Sequence, residues 1–137
     1  SCGVHVFRGS ETDVLDRYAQ AAASLQADVV MRVTSDCPMI DPQLCGAVLE
    51  LVTRDGADYA TNNQPPSWPH GLDCEAMTAQ WLHRAAREAA RPSEREHVTP
   101  FIRNHPDCRR LNLAAPYPPF GVCRLILVAP GERRNGE

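Results

Sequence analysis

The chain contains no lysine. All fourteen basic residues are arginine, set against 17 acidic residues in a chain of 137. Without lysine there is no Schiff-base former and no ammonium group for a phosphate, so arginine, backbone amides or a metal ion must bind any anion. The formal net charge of −3 is too small to favour nucleic acid as a partner.

Long apolar runs and several familiar motifs are also absent. No run of residues approaches the length of a membrane span, and no signal peptide begins the sequence, so we expect a cytoplasmic protein without a membrane partner. The nucleotide-binding loops GxGxxG and GxxxxGK[ST] do not occur, nor does the hydrolase motif GxSxG. The six cysteines show no CxxC or zinc-ligand spacing, which favours reduced thiols.

Strand-like and helix-like segments alternate along the chain. Strands are predicted at 4–7, 28–34, 58–61, 72–77, 111–114 and 125–128, and helices at 12–25, 42–55, 78–91 and 93–104. Ser10 and Ser93 each open a capping-box pattern, and Asp41 precedes a proline at the first helical position. The continuous apolar run 28–34 predicts a central parallel strand covered on both faces. The alternation predicts one α/β domain with a largely parallel sheet.

The apolar run 28–34 ends in an acidic loop that contains Asp36. In α/β sheets, ligands bind beyond the carboxyl ends of strands, which is where Asp36 falls. A single carboxylate there is typical of a Mg²⁺ site, in which substrate phosphates supply further ligands. The alternative is that Asp36 only caps a turn before Pro38.

Two other polar clusters have both a functional and a plain structural interpretation. Asp73 and Glu75 alternate along a strand, so they share a face and require a cation or a basic partner; the alternative is an exposed strand face. Arg8 and Arg17 flank a predicted helix start, an arrangement that favours an anion, although an ordinary solvated helix face explains it equally.

The order of these clusters resembles a known family. The segments that carry the resemblance are Phe7-Arg8-Gly9-Ser10-Glu11, Arg32-Val-Thr-Ser-Asp36-Cys-Pro-Met-Ile-Asp41-Pro42, Asp58-Tyr59, Pro69-His-Gly71-Leu72-Asp73-Cys-Glu75 and Arg95-Glu96-His97-Val98-Thr99-Pro100. Together they are similar to the cytidylyltransferases of the spore-coat polysaccharide biosynthesis type, which are related to the enzymes that activate sialic acid and 3-deoxy-manno-octulosonate. The resemblance covers residues 4–105.

The resemblance implies a nucleotide-diphospho-sugar transferase-like α/β/α sandwich with a mostly parallel sheet. It implies transfer of a cytidylyl group from CTP to a sugar or sugar acid, with Mg²⁺ as cofactor, and it leaves a homodimer open. Asp36 is implied as the metal-binding carboxylate, with Arg32 as a second catalytic residue. The implied substrate-binding residues are Arg8, Gly71, Asp73, Glu75 and His97.

Two departures from the family pattern affect the expected activity. Family members begin with a basic, glycine-containing loop of the ARxGSxRxPGK type, which has no counterpart before Ser1, so we expect residues 1–137 to be a single partial domain, incomplete at its N-terminus. Family members also carry an RLTVDTPED-like segment that supplies a second metal-binding Asp, where this chain has Val128. A valine cannot bind a hard cation. With the divergent tail 117–137, this leaves a non-catalytic fragment or a degenerate nucleotide- or sugar-binding domain as the alternative.

Overall fold

The computed structural model describes residues 3–37 and 39–116. Their helices and strands follow in the order α1 (Val14–Ser24), β1 (Val29–Arg32), α2 (Pro42–Thr53), β2 (Tyr59–Thr61), β3 (Glu75–Thr78), α3 (Ala79–Glu88), α4 (Pro92–His97), α5 (Pro100–Asn104) and β4 (Arg110–Asn112). The predicted strand 125–128, Val128 and the tail 117–137 lie outside the described residues. No helix in the described part of the chain is long and apolar enough to cross a membrane.

The four strands form one sheet in the order β1-β3-β2-β4. β3 is antiparallel to both β1 and β2, and β2 is parallel to β4. Three strands therefore share one direction, but two of the three strand pairings are antiparallel, so the described sheet is mixed. The prediction of a central parallel strand at 28–34 is wrong, because β1 pairs antiparallel at the end of the strand order. The long loop 62–74 between β2 and β3 brings the chain back through the middle of the sheet in the opposite direction.

Helices cover both faces of the sheet, which confirms the predicted α/β/α layering. On one face, Tyr59 and Met77 pack with Leu15 of α1 and Leu82 of α3. On the other face, Ala60 and Ala76 pack against α2 through Val48 and Val52, among other residues. Because successive side chains of a strand point to opposite faces, neighbouring residues of β2 and β3 divide between these two cores.

The helix-start patterns give mixed outcomes. Asp41 caps α2 as predicted, because its carboxylate accepts a hydrogen bond from the Gln43 amide at 2.8 Å. The prediction for Ser10 is wrong: α1 begins three residues later, with Asp13 as its N-cap, and Ser10 instead accepts a bond from the Asp13 amide at 2.9 Å. Ser10 thus stabilises the turn that leads into α1, while Asp13 makes the cap by accepting a hydrogen bond from the Asp16 amide at 3.0 Å.

Three further predictions are corrected. Residues 4–7 form no strand, and Val4 and Val6 are about three-quarters exposed. The 93–104 helix is two short helices, and Glu94 rather than Glu96 completes the N-terminal box by accepting from the Arg91 amide at 3.1 Å. β1 is half-buried rather than covered, and within the described residues its one partner is β3. The apolar residues of the run 28–34 predicted burial, but they did not determine where β1 lies in the strand order.

Candidate active site

A polar cavity of about 280 Å³ opens beside the end of β1 and the start of β3. It brings together five of the seven residues that the sequence indicated as functional. These are Arg32, Asp36, Asp73, Glu75 and His97. Residues that are far apart in the chain therefore meet in one concave site, as substrate-binding residues do.

The Glu75 carboxylate lines the cavity and accepts hydrogen bonds from three side chains. Arg32 Nη1 donates to its Oε2 at 2.9 Å, while the Tyr59 hydroxyl and the Thr99 hydroxyl donate to Oε1 at 2.6 and 3.0 Å. Glu75 and Arg32 are 13% and 24% exposed. With three donors and a paired cation, the carboxylate is already neutralised and held in one orientation.

Strand register explains why these groups meet. Arg32 and Glu75 are direct partners in the antiparallel pairing of β1 with β3, so their side chains leave the sheet side by side on one face. Tyr59 pairs with Met77, which is two residues from Glu75 on that same face, so Tyr59 reaches the carboxylate diagonally. The pairing of β1, β2 and β3 thus brings Arg32 and Tyr59 to the Glu75 carboxylate.

A strained turn at Val98 positions Thr99, the third side chain that donates a hydrogen bond to Glu75. Val98, between α4 and α5, has φ 69° and ψ −57°, and the Thr99 amide donates to the His97 carbonyl at 2.8 Å. These values are close to the rare γ-turn form at about +75° and −65°. A positive φ is costly for a β-branched residue, and such strain concentrates at functional sites. The turn places His97 at the cavity and Thr99 against Glu75.

The second predicted acid, Asp73, is bound to the loop that precedes it. His70 Nδ1 lies 2.8 Å from Asp73 Oδ2, and the Gly71 amide donates to the same oxygen at 3.1 Å. Gly71 has φ 107°, which side chains rarely tolerate. Asp73 and Glu75 therefore each have a basic partner, although β3 begins at Glu75 and Asp73 lies in the loop before it, not on the predicted strand 72–77.

Asp36 differs from these two acids because it is exposed and lacks an ion-pair partner among the described residues. The Thr34 hydroxyl, the Asp36 backbone amide and the positive charge of Arg32 hold the pKa of Asp36 below its usual value. Its carboxylate is therefore ionised at neutral pH. Asp36 fits the donor type and exposure that Mg²⁺ needs, with substrate phosphates and water as further ligands. No group of three or more acidic, His or Cys residues in the described ranges is arranged to hold a metal alone.

Two of the seven predicted site residues do not line the cavity. Arg8 borders a separate surface depression with Arg17, and Arg17 donates from its side chain to the Ser10 carbonyl at 3.0 Å. Gly71 is buried and acts through its amide, which holds Asp73. The anion site proposed for Arg8 and Arg17 is therefore distinct from the cavity, because the segment 3–12 does not pair with the sheet.

Sequence reasoning missed four residues at this site. Three line the cavity, His70, Thr99 and Arg103, and the fourth, Tyr59, binds Glu75 from the sheet. Thr99 and Tyr59 stand within the motifs that carried the family resemblance, which was a usable signal. Arg103 had none, because its pattern is that of an ordinary charged residue near the end of a helix.

Comparisons with known proteins agree with this architecture. A cytidylyltransferase from Leptospira borgpetersenii superposes with a TM-score of 0.82 at 29% identity, over 91% of this chain and 53% of that one. The spore coat polysaccharide biosynthesis protein SpsF of Bacillus subtilis is 36% identical over 116 residues, 83% of this chain and 47% of the relative. An uncharacterized protein of Methanocaldococcus jannaschii is 37% identical over 107 residues, 78% of this chain and 43% of the relative.

The layered fold and the polar cavity define a protein of the nucleotide-sugar transferase-like class. A family profile described as Cytidylyltransferase matches residues 1–130, and the chain belongs to that family. The chain spans about half the length of the curated relatives it matches.

Proposed function

We propose that this protein transfers a cytidylyl group from CTP to a sugar or sugar acid for the synthesis of a surface polysaccharide. Family membership supports the reaction type, and similarity to the Bacillus subtilis spore-coat protein supports the polysaccharide context. The observation that carries the proposal is the cavity itself, in which the exposed carboxylate of Asp36 faces the clamped Arg32–Glu75 pair.

In the proposed reaction, a sugar hydroxyl oxygen forms a bond to the α-phosphorus of CTP. The bond from that phosphorus to the bridging oxygen of the β-phosphate breaks, and pyrophosphate leaves. Such chemistry depends mainly on positioning and charge neutralisation. Mg²⁺, bound at Asp36 with the phosphates, would supply the neutralising charge. Arg32 retains guanidinium N–H groups beyond the one given to Glu75, and these orient phosphate oxygens.

The hydroxyl proton needs an acceptor, and His70 is placed to take it. Asp73 occupies Nδ1 of the ring at 2.8 Å, which leaves Nε2 as the nitrogen free to accept a proton. A carboxylate that holds one imidazole nitrogen fixes the tautomer of the ring and stabilises the cation that forms. In this scheme Asp73 positions His70 and does not itself contact the sugar.

The test is calorimetric titration with CTP, with and without Mg²⁺ and with GTP as control, followed by pyrophosphate release in the presence of candidate sugar acids. We expect selective, Mg²⁺-dependent CTP binding by the wild type and its loss in Asp36→Asn. Asp55→Asn, an exposed change at the far end of α2, is the matched control and should leave binding unchanged.

Each outcome of these titrations is informative. CTP binding without pyrophosphate release would favour the alternative, a nucleotide-binding domain that has lost catalysis, for which Val128 is the expected reason. No CTP binding, or binding that Asp36→Asn leaves unchanged, would contradict the proposal.

A further inference from the structure

The backbone next to Asp73 is buried although it has left the sheet. β3 begins at Glu75, and its pairing with β2 ends at Thr61 and Glu75. Cys74 is 1% exposed, so its amide and carbonyl have little access to water and no strand partner. Buried backbone groups in folded proteins are nearly always hydrogen-bonded, and side chains supply the partners where a strand does not.

The Asn62 side chain supplies two of these partners. Asn62 Nδ2 donates to the Leu72 carbonyl at 2.8 Å, and Asn62 Oδ1 accepts from the Cys74 amide at 3.0 Å. The carboxamide therefore takes the place of a peptide group in a neighbouring strand, and it holds the backbone immediately before and immediately after Asp73. Asn62 is itself 1% exposed and does not line the cavity, so its effect on the site is indirect.

We propose that Asn62 is a positioning residue for the His70–Asp73 pair. This inference rests on the proposed function, in which His70 accepts the hydroxyl proton. The His70 side chain is 56% exposed, so packing does little to orient the ring, and the Asp73 carboxylate at 2.8 Å from Nδ1 sets its direction. By fixing the backbone on both sides of Asp73, Asn62 fixes where that carboxylate lies.

The other contacts of this segment do not replace Asn62. The Gly71 amide orients the Asp73 carboxylate, but both residues belong to the loop 62–74 and would move together. The Thr61 hydroxyl donates to the Cys74 carbonyl at 3.0 Å, which holds the chain only after Asp73. Asn62 directly follows β2 and contacts both sides of Asp73, so it connects the pair to the sheet that carries the rest of the site.

The tautomer of the His70 ring tests this role directly. When Asp73 accepts the Nδ1 proton, the neutral ring leaves Nε2 bare, whereas a ring released to water favours the Nε2–H form. NMR of the ring nitrogens, at the alkaline plateau of a pH titration, distinguishes the two forms, and His70→Gln identifies the signals. We expect the Nδ1–H form in the wild type. Asn62→Ala should move the nitrogen shifts at least halfway to those of Asp73→Ala, which lacks the partner.

Asn112→Ala is the matched control, because it removes the same two kinds of bond from the same loop. Asn112 Oδ1 accepts from the Gln64 amide at 2.8 Å, and Asn112 Nδ2 donates to the Pro65 carbonyl at 3.2 Å. This variant should keep the wild-type tautomer. Asn62→Ser is the second variant, for use if Asn62→Ala does not fold. Its shorter side chain bonds to one backbone group but not to both, so the shift should be intermediate.

Catalysis provides a second readout. In Asn62→Ala we expect the kcat of pyrophosphate release to fall about tenfold or more, with the KM for CTP within about twofold of wild type, because a misplaced proton acceptor slows the chemical step. A wild-type tautomer in the folded Asn62 variants, or an equal shift in Asn112→Ala, would overturn the inference, as would the Nε2–H form in the wild type. A wild type that releases no pyrophosphate would instead contradict the proposed function, and the tautomers would still decide the role of Asn62.

Discussion

Tyr59 donates a hydrogen bond of 2.6 Å to Glu75 from a side chain that is 1% exposed. Burial and the adjacent Glu75 charge raise the pKa of Tyr59 well above its usual value, so the hydroxyl stays protonated and remains a donor. The apolar core and the polar cavity therefore meet at this one side chain, whose ring belongs to the former and whose hydroxyl belongs to the latter. Removing the Tyr59 hydroxyl should therefore affect both the free energy of unfolding and the orientation of Glu75 in the cavity.

Tyr59→Phe removes that hydroxyl and leaves the ring in place. We expect the free energy of unfolding to fall by about 1–2 kcal/mol, because Glu75 loses a buried hydrogen bond to its charge. Urea denaturation followed by circular dichroism measures the change. Tyr18→Phe is the control: Tyr18 packs on the same core but makes no side-chain hydrogen bond within the described ranges, and it should change stability by much less. Equal losses in both variants would show that the hydroxyl contributes nothing specific.

Glu75→Gln keeps the shape of the side chain and removes its charge. We expect a loss of about 2 kcal/mol in unfolding free energy, because Arg32 is left partly buried without its counter-ion. Glu50→Gln provides the comparison, since Glu50 and Arg54 form an exposed pair on α2 at 3.2 Å. Pairs of that kind contribute about 0.3–0.5 kcal/mol. Similar effects of the two substitutions would show that the partly buried Arg32–Glu75 pair contributes no more than an exposed pair.

Asp13→Asn tests a link between helices that lie far apart in the chain. Arg95 of α4 donates to both oxygens of Asp13, the N-cap of α1, with a shortest contact of 2.5 Å. Asn caps helices as well as Asp, so this substitution isolates the ion pair, and Asp13→Ala removes the cap as well. We expect losses at pH 7 of about 1 kcal/mol for Asn and about 2 kcal/mol for Ala.

The pH dependence of the Asp13 effect has a defined sign. Hydrogen bonding to Arg95 lowers the pKa of Asp13 below its ordinary value of 3.8. The stabilisation is therefore complete above that value and is lost as the pH falls through the lower pKa of the folded state. In urea titrations from pH 7 to pH 3, the difference between wild type and Asp13→Asn should stay constant to about pH 5 and then shrink. A difference that grows towards acid pH would refute the assignment.

The backbone at Val98 can be tested by comparing alanine with glycine. Both substitutions remove a side chain that is fully buried, but only glycine adopts a positive φ without strain. We expect Val98→Gly to be more stable than Val98→Ala by about 1 kcal/mol or more, the lower end of the strain at such positions. The control is Val48, equally buried but in the middle of α2, where glycine should be less stable than alanine by about 1 kcal/mol. The same order at both positions would exclude strain at Val98.

The sequence determined the local features of this protein. Alternating periodicities identified most of the helices and strands that form the layers, Asp41 was predicted as an N-cap, and the position of Asp36 after an apolar run marked the edge of the sheet where the polar cavity lies. Alternation predicted that Asp73 and Glu75 share a strand, but only Glu75 belongs to β3. These features depend on residues within about one helical turn or one strand of each other, so a local pattern contains them.

Tertiary structure decided which of those side chains meet. The Arg32–Glu75 bond joins residues 43 positions apart, and the Asp13–Arg95 bond joins residues 82 apart. The first depends on the antiparallel register of β1 and β3, and the second on the packing of α4 against α1. Register and strand order arise from the packing of whole elements, in which a shift of one residue would move every side chain of a strand to the other face. No local pattern encodes that choice, which is why the partner of Glu75 was identified only in the folded structure.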